Sequence, residues 1–253
     1  MNIHQNTKLI WADDFDGPTL DYSKWEIEVN AFGGGNHELQ LYTDYPKNVR
    51  VENSCLVLEA HREKCAIQGT TKDYSSGRVR TKHRGDWKYG RFEVCAKLPQ
   101  GKGLWPAIWM LPTDDHYGVW AASGEIDIME NIGKPKEISC ALHFGETWPR
   151  NIFTVKNPAA VLTAPDSFAS DFHVFALEWR RPCLQWFVDD NLVWEQRASV
   201  WRRPGTTHAP FDKRFHLLLN LAVGGGLPGN PSPRTKFPAR MEVYWVRVYK
   251  FVP

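Results

Sequence analysis

Residues 124 to 131, Gly124-Glu125-Ile126-Asp127-Ile128-Met129-Glu130-Asn131, constrain the fold more than any other stretch. Ile126 and Ile128 alternate with Glu125 and Asp127, the period-2 pattern of a β-strand with one apolar face. Glu130 breaks the alternation. In a regular strand it would join the isoleucines, where an unpaired charge is very costly. One extra residue, a β-bulge near Ile128-Met129, returns Glu130 to the side of Glu125 and Asp127. The expected product is a strand with three carboxylates along one face.

Like charges side by side on a strand repel, so this face needs a reason. A plain acidic surface or a calcium site would be the ordinary explanations. The spacing does not fit an EF-hand loop, which needs Gly at its sharp turn. Glycoside hydrolysis fits better, because it uses one ionised and one protonated carboxyl near neutral pH. A third acid between them can hold a proton or tune both neighbours by charge coupling.

The rest of the chain reads as strands. Leu9 to Phe15 opens, followed by the turn Asp16-Gly17-Pro18. Gly33-Gly34-Gly35 needs positive φ or a close approach and precedes Glu38 to Tyr42. Val49 to Glu52 and Cys55 to Ala60 form a hairpin about Asn53-Ser54. Ser76 to Thr81, Tyr89 to Leu98 and Gly103 to Leu111 alternate, the last with Trp105 and Trp109 on one face. Ile138 to Phe144 is the strand returning from the acidic one, which sets His143 opposite it. Residues 145 to 170 read as a polar, Pro-containing stretch that covers a cleft. Phe172 to Trp179, Leu184 to Asp189, Phe215 to Val223 and Met241 to Tyr249 complete the set. Short strands at regular spacing, with almost no helical period, predict an all-β protein. A two-sheet antiparallel β-sandwich with a cleft on its concave sheet suits a central acidic strand. No linker or repeat divides the chain, so one domain spanning residues 1–253 is expected.

Composition narrows the function. At 42% hydrophobic and 24% charged, the 253 residues are those of a packed domain. A net charge of +2, with no basic run, is too weak to imply nucleic acid or an anionic membrane, and neither is expected as a partner. No segment of about 18 apolar residues exists to span a bilayer, and residues 1 to 10 lack an apolar signal core. The twelve Trp exceed what a core needs. Several lie near Gly and Pro, where indole faces can stack on sugar rings, while about half are expected in the sandwich core. The five Cys are too scattered for a disulfide framework, although Cys55 and Cys65 remain candidates to pair.

These stretches together resemble glycoside hydrolase family 16, and most nearly its bacterial endo-β-1,3-glucanases, the laminarinases. The similarity runs from about residue 9 to 250. It is carried by Trp11 to Gly17, Asn36 to Tyr42, Tyr89 to Leu98, Gly103 to Pro112, Ser123 to Asn131, Leu142 to Gly145, Leu219 to Gly229 and Val243 to Tyr249. The resemblance implies a concanavalin A-like jelly roll and a retaining double displacement on β-1,3-glucan. By position, Glu125 would be the nucleophile, Glu130 the acid/base and Asp127 their assistant. The inserted Met129 matches the bulged motif that laminarinases share with agarases and carrageenases; lichenases lack it. The two Glu Cα atoms should stand roughly 13 Å apart along the strand. Side chains leaning together would approach the roughly 5–5.5 Å of a retaining pair.

By the same resemblance Trp120 lies at the scissile sugar. Trp105 and Trp109 are sugar platforms or core residues. His143 bonds Glu130 or a sugar hydroxyl, or is a buried satisfied histidine. Asn36 and Arg78 are candidate hydroxyl partners or ordinary turn and surface residues, and Glu38 is a candidate structural residue. Two positions depart from the family. Tyr244 stands in the last strand where members often hold a structural calcium with Asp, leaving Asp14 as a remaining ligand. Leu227 stands where laminarinases tend to have Trp, which opens mixed-linkage β-glucan or algal galactan as alternative substrates. A non-catalytic β-glucan-binding protein is a further alternative, one that the retained carboxylates oppose. No required cofactor, a monomer and a secreted location, inferred from the substrate class, are expected.

Overall fold

The computed structural model describes residues 6–157, 162, 166–202, 205–206 and 208–252. Two sheets account for nearly all of it, one of ten strands and one of eight. The all-β sandwich is therefore as expected. It has more strands than the sequence pattern counted, because short segments such as Glu26–Ile27 and Asp86–Trp87 also pair.

The eight-stranded sheet holds the acidic strand Glu125–Glu130. Across it the order is Asn151–Lys156, Ser139–Gly145, Glu125–Glu130, Leu104–Pro112, Phe215–Val223, Arg78–Arg80 and Glu26–Ile27. Alternation sorts its side chains. Ile108, Met110, Ile126, Leu142, Leu217, Leu219 and Leu221 face the other sheet and belong to the main core. Trp105, Ala107, Trp109, Asp127, His143 and Asn220 share the opposite face.

That core takes Trp25, Trp179, Trp186 and Trp201, with Trp11, Trp87 and Trp194 packed against it. The expectation that about half of the tryptophans are structural is met. Trp105 forms a separate small cluster with Tyr42 and Ala222 on the outward face.

Four expectations change. Residues 145 to 170 are not all loop: Asn151–Lys156 pairs with Ser139–Gly145 and forms the sheet's edge. Residues 158–161 and 163–165 of that stretch lie outside the described residues. The Cys55 strand continues to Ile67, so Cys55 and Cys65 sit far apart along one extended segment, and both are free thiols. Glu38 to Tyr42 shortens to Gln40–Tyr42, which pairs in parallel with Thr70–Ser76. The opening strand is Thr7–Asp13 rather than Leu9 to Phe15. Gly33, Gly34 and Gly35 all take positive φ, as their loop required.

Candidate active site

The bulge lies where the alternation broke. Ala107 opposes Glu130 and Ile108 opposes Met129, but the next pair is Trp109 with Asp127, so Ile128 is skipped. On the other side the register slips between Asp127 and Glu130. Ile126, Ile128 and Met129 all enter the core, and each such apolar burial contributes about 1.5–3 kcal/mol. Two consecutive inward residues push Glu130 back out, beside Glu125 and Asp127.

Each glutamate is held by an indole. Trp120 Nε1 donates to Glu125 Oε2 at 2.6 Å, and Trp105 Nε1 donates to Glu130 Oε1 at 3.0 Å. Trp105, 8% exposed, and Glu130 are thus joined side chain to side chain. Trp120 rides on a turn in which Ser123 Oγ donates to Gly118 O at 2.6 Å and accepts from Tyr117 N at 2.9 Å. Gly124 then leads into the strand at φ +92°, where a Cβ would meet the Phe211 ring at 2.8 Å. Only glycine suits that corner.

His143 stands opposite Glu125. Its Nε2 lies 3.7 Å from Glu125 Oε1 and 3.4 Å from Asp127 Oδ2. The expected bond to Glu130 is absent, because Glu130 pairs with Ser139, four residues from His143 along the neighbouring strand. Trp109 Nε1 donates to Asn220 Oδ1 at 2.7 Å, and the Arg78 guanidinium lies 4.8 Å from the Trp109 ring centre. Arg78 is buried and ion-paired with Glu28, so it braces the Trp109 side of the site rather than standing free. Asn36 is exposed; its side chain binds Gly34 O at 3.2 Å, and its carbonyl accepts from Gly226 N at 2.8 Å. It thus caps the loop beyond the Phe215–Val223 strand. Glu38 is buried against Gln40, whose Nε2 donates to it at 2.6 Å, which is a structural role.

Burial shapes the charge of the site. It pushes Glu125 up to about 8, helped by the Asp127 charge and opposed by His143 and the Trp120 indole. Glu130 is likewise pushed to about 8 by burial and then by Asp127, against the Trp105 indole. Asp127, 3% exposed, rises to about 8 through burial. Three carboxyls in one dry patch do not all ionise together near neutrality. The shorter indole bond and the nearby His143 favour the first negative charge on Glu125. A proton then remains for Glu130. One ionised and one protonated carboxyl is the pairing that glycoside hydrolysis needs.

Among the described residues, Glu125, Asp127 and His143 also bring one ligand atom each to within 4.8 Å of one another. The calcium position of the family is a poorer site. Asp14 accepts from Arg247 Nη2 at 3.0 Å, and Tyr244 packs at a tilt against Phe172 with no carboxylate to offer. These residues do not fit a bound calcium.

Residues 36–225 match Glycosyl hydrolases family 16. The chain belongs to that family. As a family 16 member it is 42% identical over 260 residues to a glucan endo-1,3-beta-glucosidase A1 of Niallia circulans, covering 96% of this chain and 38% of that protein. It is 40% identical to a beta-glucanase of Rhodothermus marinus, covering 97% of this chain and 86% of that protein. The laminarinase catalytic domain of Thermotoga maritima superposes with a TM-score of 0.88 at 36% identity, covering 98% of this chain and all of that one. The jelly-roll sandwich expected from the sequence is the fold these structures share.

Sequence reasoning missed Tyr42 and Asn220 beside Trp105 and Trp109. Asn220 had a signal, as the one amide within the otherwise apolar run Leu217 to Val223. Tyr42 had none, because a Tyr in a short strand reads as ordinary packing.

Proposed function

We propose that this domain is an endo-acting, retaining glycoside hydrolase that cleaves β-1,3-glucan. One observation carries the reading: the bulge that returns Glu130 to the face of Glu125, with each carboxyl tied to an indole N–H. In the first step ionised Glu125 attacks the anomeric carbon. The glycosidic C–O bond breaks as Glu130 gives its proton to the departing oxygen. In the second step Glu130 takes a proton from water, the water oxygen attacks the same carbon, and Glu125 leaves. Asp127 carries no bond to substrate in this scheme; lying between the two glutamates, it raises both whenever it ionises. The relatives named for 1,3-glucan support that linkage, and a polymeric substrate supports action outside the cell. No helix among the described residues is long and apolar enough to cross a membrane. The poor fit of Asp14 and Tyr244 supports activity without calcium.

The test is reducing-sugar release from laminarin, lichenan, agarose and carrageenan. Laminarin is expected to be cut fastest, and Glu125→Gln to abolish release. A Glu125→Gln protein as active as the parent would remove the mechanism. A parent that binds laminarin without cutting any of the four would make it a glucan-binding protein. Preference for lichenan or a galactan would move the substrate while keeping the chemistry.

A further inference from the structure

The site face is unequal on its two sides. Towards Phe215–Val223 and Arg78–Arg80 it is buried and polar: Arg78 is 6% exposed and Asn220 is 5%, and both are engaged with Trp109. Towards the edge strand it is apolar and open. Glu125 opposes His143, which opposes Phe153; Asp127 opposes Ala141, which opposes Val155. Phe153 is 60% exposed and Val155 47%. They continue the rows that carry the catalytic carboxyls. The Phe153 ring stacks on His143 at 5.8 Å and 26°, and His143 lies 5.6 Å from the Trp120 ring. Trp148, 73% exposed, is tied to the same corner through its backbone, whose N–H donates to Trp120 O at 3.4 Å.

An apolar edge strand invites wrong pairing and is usually blunted. Aromatic faces left open there, contiguous with the reacting carboxyls, have a use in sugar stacking. Resting on the reading above, we propose that Trp148 and Phe153 form the platform for the aglycone, the pyranosyl units on the leaving side of the cleaved bond. The two steps of the reaction distinguish the sides. The glycone is bonded to Glu125 through both steps, and anchored polar groups suit it. The aglycone departs after the first step, so its site must release quickly. A flat stacking surface, without buried polar anchors, does that. The same surface would seat a sugar acceptor in place of water, transferring the glycosyl unit from Glu125 to an acceptor hydroxyl while Glu130 takes the hydroxyl proton.

The experiment compares laminarihexaose with a 4-nitrophenyl β-laminaribioside, whose small activated leaving group has no sugars to stack. For Trp148→Ala and Phe153→Ala, the ratio of kcat/KM on hexaose to that on the aryl glycoside is expected to fall about ten-fold. Transfer to added laminaritriose should fall in parallel. Trp148→Phe should restore most of the ratio. A ratio within about two-fold of the parent, whether both rates fall or neither does, overturns the platform. If the parent cleaves neither substrate, the hydrolase reading itself fails and the platform falls with it. If the parent cleaves both and only the ratio stays fixed, the hydrolase stands and the platform alone is wrong.

Discussion

Replacing Trp120 by Phe keeps a ring at the site and removes one hydrogen bond. The lost bond is short, 2.6 Å from the indole nitrogen to Glu125 Oε2. Bonds to charged groups contribute about 1.5–3 kcal/mol. Trp120 is 37% exposed, so the low end applies. About 1.5 kcal/mol corresponds to roughly one pKa unit, or ten-fold in rate. The sign follows from which form the indole favours. It donates to ionised Glu125, so its loss raises a carboxyl already pushed to about 8. The acid limb of kcat/KM reports the base form of the free enzyme. For Trp120→Phe on laminarin that limb should move up by about one unit, with roughly ten-fold less activity below it. Trp120→Leu, which loses the ring as well, should add a loss at every pH. An acid limb that stays in place in the Phe variant would refute the assigned role, leaving Trp120 as a stacking surface alone.

Asp127→Asn removes the charge that raises both glutamates, so the whole pH–rate bell should shift about one unit towards acid. The same variant tests stability. Carboxyls with folded values near 8 hold protons that the unfolded chain releases from about pH 4 upward. Their stabilising contribution is thus complete below pH 4 and is lost as pH rises through 8. Asp127→Asn should therefore melt about 3–6 °C above the parent at pH 8 and close to it at pH 4, read by calorimetry. Gly124→Ala forces a Cβ to 2.8 Å from the Phe211 ring at φ +92°. It should cost about 2–3 kcal/mol in denaturant melts and lower activity through the displaced Trp120 and Glu125. Millimolar calcium or EDTA should move the melting temperature by less than about 1 °C, because Asp14 is engaged with Arg247.

The bulge was legible because it is a violation. Glu130 in an apolar register has no cheap alternative to an extra residue, so charge and alternation together located it. His143 was placed correctly because a short return strand admits few registers. Its partner was not, because the turn between the strands sets the register, and Glu130 lies opposite Ser139, four residues from His143. The edge strand Asn151–Lys156 was lost because Ile152, Phe153 and Val155 sit between Pro149 and a polar run, which reads as loop. Arg78 read equally as a sugar partner or a surface residue. Its ion pair with Glu28, distant in sequence, was not legible. Pairings of this kind leave no local periodicity to read.

The acidic strand joins two opposed demands through one inserted residue. Its outer side carries three carboxyls whose mutual repulsion and burial work against folding. Its inner side sends Ile126, Ile128 and Met129 into the core. Regular alternation would give two inward anchors before Glu130 and then bury that charge. The bulge gives three and releases it. The extra anchor falls immediately before the acid whose raised pKa the proposed chemistry requires. Residues that would otherwise separate under their own charge are thus held by the same backbone distortion that orients them. A substitution at Met129 that weakens the anchor should therefore disturb Glu130 before it disturbs Glu125, and the basic limb of the rate profile is where that order would appear.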